Sequence, residues 1–137
     1  MKPSDDQLKN MGGTLREIDP STLQADPEEG AVRWFLGDQG TEIFAWTRDG
    51  KPPHHIQLVF ARVSVEWNQK TGLMTGTFTA TSATAGGRFD PYLLTVGPNV
   101  DPDVCRAALR LLSAAPIDEQ VVQPLARALE QVVNPVP

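Results

Sequence analysis

Cysteine is almost absent from this sequence, and that scarcity sets the first constraint. Cys105 is the single one among 137 residues, so no intrachain disulfide can form and nothing points to an oxidising compartment. Histidine is confined to the adjacent pair His54-His55. Neighbours on an extended strand point to opposite faces, whereas a zinc site needs converging ligands at wider spacing. The pair therefore reads as part of a surface loop, and no metal is expected. No apolar run approaches the ~20 residues of a membrane-spanning helix. The opening MKPSDDQLKN carries acids where a signal peptide would need an apolar stretch. A cytoplasmic protein with no membrane partner is the expectation.

Phosphate-binding loops are missing as well. Neither GxGxxG nor GxxxxGK[ST] occurs, and the GxSxG of a nucleophile elbow is absent. Gly86-Gly87-Arg88 ahead of Phe89 reads as a flexible connection rather than an anion cradle. Cys105 falls on the apolar stripe of a helix, the place of an inert, buried thiol rather than a nucleophile. No catalytic residue and no cofactor is expected, and the chain reads as non-enzymatic.

Positive charge is in short supply. Twelve Lys and Arg stand against seventeen Asp and Glu, for a net charge of −5. Residues 1–30 hold seven acids and three basic residues, net −4, while 31–99 are nearly balanced at +1. An acidic chain without a basic stripe lacks the electrostatic footprint of a nucleic-acid binder. Anionic membrane is disfavoured for the same reason.

What the sequence does contain is a β-rich middle. Between Ala31 and Ala80 lie AVRWFLG, TEIFAWTR, HHIQLVFARVSVEW and GLMTGTFTA, runs rich in β-branched and aromatic residues and separated by turn signals. Asp38-Gln39-Gly40 and Asp49-Gly50 mark two of the turns, the second being the strongest short hairpin signal in the chain. The third run, His55–Trp67, reads as one long strand with a bend near Arg62. Tyr92–Val96 adds a short fifth strand. Pro52-Pro53 cannot donate to a ladder, so the register between the second and third runs is left open, and a one-residue slip would exchange the faces.

A four-residue loop Asn68–Thr71 would pair Val65 with Met74, Val63 with Gly76 and Ala61 with Phe78. Val59, Ala61, Val63, Val65, Met74 and Phe78 would then form a continuous core face. The other face would be polar at one end, with Ser64, Glu66 and the row Thr75, Thr77, Thr79, Thr81. At its other end Ile56, Leu58 and Phe60 would make it apolar.

Helices follow. Asp101-Pro102 is an N-cap followed by proline at the first helical position, and Val104, Cys105, Ala108, Leu111, Leu112 and Ala115 fall on one stripe. A second helix spans about residues 118–133, with Pro124 expected to kink or divide it. At the other end of the chain, Ser4 can cap a helical turn over Ser4–Met11, and Thr14–Ile18 can add an edge strand.

The expected fold is α+β: an antiparallel four- to five-stranded meander sheet packed on one face by two C-terminal helices, a two-layer sandwich. The domain divides into an acidic N-terminal arm over 1–30, partly ordered, and a body over 31–137, with the sheet in 31–96 and the helices in 101–133. Two helices can shelter only one sheet face. The chain is therefore expected to be a protein–protein interaction module, an adaptor or regulator, docking another protein or a second copy of itself through a half-apolar sheet face. Phe44, Trp46, Ile56, Leu58, Phe60, Thr77 and Thr79 are its candidate partner-binding residues. Two alternatives stand beside it: a small acidic secretion-type chaperone holding an extended client, and a small-ligand or enzyme domain with its site at the 49–55 turn and the 86–92 loop.

Overall fold

The computed structural model describes residues 3–25, 27–28, 30–78, 94–96 and 100–134, with Phe78 and 94–96 as backbone only. Helix α1 (Asp5–Gly13) comes first, then strands β1 (Arg16–Glu17), β2 (Ala31–Leu36), β3 (Glu42–Thr47), β4 (His55–Phe60), β5 (Val63–Asn68), β6 (Gly72–Phe78) and β7 (Leu94–Val96). Helices α2 (Pro102–Ala114) and α3 (Glu119–Val133) close the order. The strands form one sheet in sequence order, every neighbouring pair antiparallel. This is the expected α+β two-layer meander, with more strands than anticipated.

The extra strand comes from the long third run. It is a hairpin rather than one bent strand: β4 turns into β5 at Ala61-Arg62, with Phe60 paired to Val63. Both turn residues are left-handed, φ 48° and 64°, the conformation whose twist matches a two-residue hairpin. Such a turn normally announces itself by Asn-Gly or Asp-Gly, and Ala-Arg carries no such signal.

The expected β5–β6 pairing is also corrected, by one residue. Asn68 pairs with Gly72, Val65 with Thr75 and Val63 with Thr77, so Met74 and Gly76 do not face the valines. The turn Gln69-Lys70-Thr71 is held by the Asn68 side chain, which accepts from the Lys70 N–H at 2.9 Å. Gly72 follows at φ 84°, a backbone that glycine adopts without steric penalty.

The register left open between β3 and β4 is Ile43 with Leu58, Phe44 with Gln57, Ala45 with Ile56 and Trp46 with His55. One sheet face therefore carries Phe35, Ile43, Ala45, Ile56, Leu58, Phe60 and Val65, each at most 3% exposed. These residues form one cluster with Leu8, Met11, Cys105, Ala108, Leu111, Leu125 and Leu129 of the helices.

The helices start as their sequences dictate. Asp101 accepts from the Asp103 N–H at 2.9 Å, and Asp118 accepts from the Gln120 N–H at 3.1 Å. Helix α3 runs on through Pro124 instead of dividing there. Its buried stripe Val121, Val122, Leu125 and Leu129 continues on both sides of the proline, and that burial outweighs the one lost backbone hydrogen bond.

The N-terminal segment joins the helix layer. Ser4 and Gln7 form a reciprocal capping box, at 3.2 and 2.8 Å, and α1 packs on α2. Gly12 makes the close approach possible, since a Cβ there would come within 2.0 Å of the Leu111 carbonyl oxygen. After α1 the chain adds β1 at the sheet edge, where Glu17 takes a two-pronged hydrogen bond from Arg33 at 2.7 and 2.8 Å. That contact holds the Glu17 carboxyl below its usual range.

Candidate functional site

The second sheet face is the candidate site, since α1, α2 and α3 all bury their apolar stripes against the other one. Strand alternation places Trp34 on β2, Phe44 and Trp46 on β3, and His55, Gln57 and Val59 on β4. Beyond them come Ser64 and Glu66 on β5 and Met74 on β6. Trp34, Phe44, Gln57, Glu66 and Met74 form one row across five strands.

The aromatic members stack. Trp34 lies over Phe44 with ring centroids 5.9 Å apart at 8°. Phe44 and Trp46 follow at 6.0 Å and 21°, and Trp46 meets the His55 imidazole at 4.3 Å and 19°. Offset-stacked pairs in this distance range each add about 0.5–1.5 kcal/mol beyond area burial. All four rings are half-buried, so part of each stays accessible.

Polar groups border the rings. His55 Nε2 lies 2.6 Å from Glu66 Oε2, an ion pair whenever the imidazole is protonated. Trp34 Nε1–H donates to Glu42 Oε1 at 3.3 Å. Burial pushes the Glu42 carboxyl above its ordinary value, and the Trp34 hydrogen bond offsets only part of that. At the centre, Gln57 is 2% exposed and its Nε2 has no hydrogen-bond partner among the described residues. A buried carboxamide donor left unpaired costs roughly 1–3 kcal/mol, so Gln57 is a donor held without an acceptor.

The predicted site residues divide between the faces. Phe44 and Trp46 belong to this surface. Ile56, Leu58 and Phe60 do not: they are at most 2% exposed on the helix-side face and cannot meet a partner alongside Trp46. Thr77, exposed, pairs with Val63 and so lies on the helix-side face too. Thr75 of the same row is buried there, its hydroxyl accepting from the Asp101 N–H at 3.1 Å. Thr79 and the 86–92 loop lie outside the described residues. Val59 and Met74, expected in the core, are half-buried on the second face.

Trp34, His55 and Gln57 are site members outside the expected partner-binding set, as is Glu66, although Glu66 was expected on this face. A signal for them existed. In HHIQLVF the large apolar residues Ile56, Leu58 and Phe60 alternate with His55, Gln57 and Val59, and this period of two marks the former set as core.

Chemically, stacked rings suit an apolar or planar partner, and the His55–Glu66 pair adds a polar anchor. Among the described residues no group of three His, Cys, Asp or Glu side chains could hold a metal ion. Cys105 is fully buried in α2; burial, with the Asp101 charge, pushes its thiol up to about 11. No helix among the described residues is long and apolar enough to cross a membrane. No protein-family model, curated protein or solved structure matches the chain.

Proposed function

We propose that the chain is a non-enzymatic protein-binding module, an adaptor or regulator, which docks another protein or a second copy of itself through the second sheet face. One observation carries the reading: Trp34, Phe44 and Trp46 form a continuous stack of half-buried rings on the sheet face opposite α1, α2 and α3. Aromatic residues are enriched in the buried centres of protein interfaces, and tryptophan most often dominates their energetics. An extended sheet face offers a broad surface for such contact.

The test uses Trp46→Glu and Phe44→Asp in the full chain. Each variant gives up two stacked pairs, so circular dichroism should keep the parent's shape while the thermal midpoint falls by several degrees, and capture is compared at a temperature where all three proteins are folded. Light scattering reads self-association, and quantitative affinity purification reads capture of another protein. The expected result is loss of the captured species in both variants. Retained capture, or loss of capture only in step with loss of fold, counts against the proposal. Phe60→Asp serves as the contrast and should unfold the protein, because Phe60 belongs to the core.

A small-ligand reading has the His55–Glu66 contact and the unpaired Gln57 donor in its favour. Its signature would be a monomer that captures no protein yet shows tryptophan quenching by an added planar heteroaromatic, abolished by Trp46→Glu.

A further inference from the structure

On the opposite side of the molecule, a cavity of about 840 Å³ opens between α1, α2, the β4–β5 turn and the end of α3. Small-molecule sites typically occupy roughly 300–1,000 Å³ and combine apolar walls with a few placed polar groups. Here Val63, Val104, Ala107 and Val133 supply apolar wall. All four are half-buried, packed against the core yet not spent within it. The lip at Ala61 carries only a methyl group, so the mouth stays open beside the turn.

Charge at the rim selects the guest. Arg106 and Arg110 line the cavity and stand one helical turn apart, on one face of α2. Asp5, Asp101 and Asp103 share the rim, but these acids serve the helix ends. Asp101 caps α2, Asp103 sits in its first turn, and Asp5 sits in the first turn of α1, where a negative charge faces the positive helix terminus. Of the two guanidiniums, Arg110 is held the more loosely. Arg106 pairs with Asp103 at 2.5 Å, both side chains more than half exposed. Arg110 approaches Asp5 only to 3.8 Å. Exposed pairs of this kind contribute about 0–1 kcal/mol and exchange readily.

We propose that this cavity is a binding site for an amphipathic anion, an alkyl chain ending in a carboxylate. The chain lies along Val63, Val104, Ala107 and Val133, and the carboxylate replaces the long Asp5 contact on Arg110, with Arg106 alongside. This site is separate from the aromatic face and does not depend on its role.

Isothermal titration of the full chain tests it, with decanoate below its micelle concentration as the probe and decylammonium and acetate as comparators. Decanoate should bind saturably, decylammonium at least tenfold more weakly, and acetate not at all. Arg110→Gln, at an exposed position that leaves the fold intact, should weaken decanoate at least tenfold. Ala107→Phe, which fills the cavity, should abolish binding. Amide and methyl shifts on adding decanoate should centre on Val63, Val104 and Ala107 rather than on β3. The proposal fails if decanoate does not bind, if decylammonium binds as tightly, if Arg110→Gln or Ala107→Phe leaves affinity unchanged, or if the shifts centre on β3.

Discussion

Replacing Gly12 by alanine tests where the N-terminal segment goes, and with it whether the aromatic face lacks that cover. The added Cβ would lie 2.0 Å from the Leu111 carbonyl oxygen and 3.0 Å from its carbon. Both are backbone atoms of α2, so neither can swing aside and α1 must move. Overpacking of this kind costs about 1–3 kcal/mol. Full undocking would forfeit the burial of Leu8 and Met11, 3% and 2% exposed, at roughly 1.5–3 kcal/mol each. Alanine's helix propensity returns at most ~1 kcal/mol. Undocking therefore sets the ceiling and strain the lower-cost response, so the net expectation is a loss of about 1–3 kcal/mol. Gly13→Ala is the internal control: its Cβ would come no nearer than 3.9 Å to the Ala114 carbonyl oxygen. That substitution should be neutral, or stabilising by up to ~1 kcal/mol. Urea unfolding of the two variants, followed by circular dichroism at a shared m-value, reads the difference. Equal midpoints would refute the docking of α1 on α2 and reopen the question of what residues 1–30 cover.

Two further outcomes follow from the turn and from the buried carboxyl. The pair substitution Ala61→Asn with Arg62→Gly should raise stability by about 1–2 kcal/mol, because both positions are left-handed and L-residues other than Asn and Gly resist that conformation; an unchanged urea midpoint would argue against the two-residue turn. Glu42 titrates above its ordinary value of 4.5 in the folded state, so the native protein holds that proton longer than the unfolded chain does. Stability therefore falls as pH rises from 4.5 through the folded value, and the penalty is complete above it. Glu42→Gln retains an acceptor for the Trp34 indole and should raise the thermal midpoint at pH 7 while matching the parent near pH 4; a midpoint gain of the same size at both pH values would contradict the burial argument.

The two sides of the sheet divide the chemistry. The helix-side face is committed to folding, and a cavity opens where α1, α2 and the β4–β5 turn fail to close. The second face keeps its aromatic rings half-buried and leaves the Gln57 donor unpaired.

Local chemistry in the sequence was sufficient for the helices and for the order of the β-rich runs, though not for the division of the third run into β4 and β5. Ser4, Asp101 and Asp118 cap helices because an oxygen at that position satisfies a free N–H of the first turn, whatever the rest of the chain does. The stripe through Cys105, Ala108, Leu111 and Leu112 depends only on 3.6 residues per turn, and the meander follows from short connections between β-rich runs. What only the tertiary structure decided was which residues share a face. In a strand the faces alternate with every residue, so an unsignalled turn at Ala61-Arg62 and a one-residue shift at Gly72 moved Val59 and Met74 out of the core. The β3–β4 register likewise sent Ile56, Leu58 and Phe60 away from Trp46. Long-range packing against the helices selects that parity, and no local propensity encodes it.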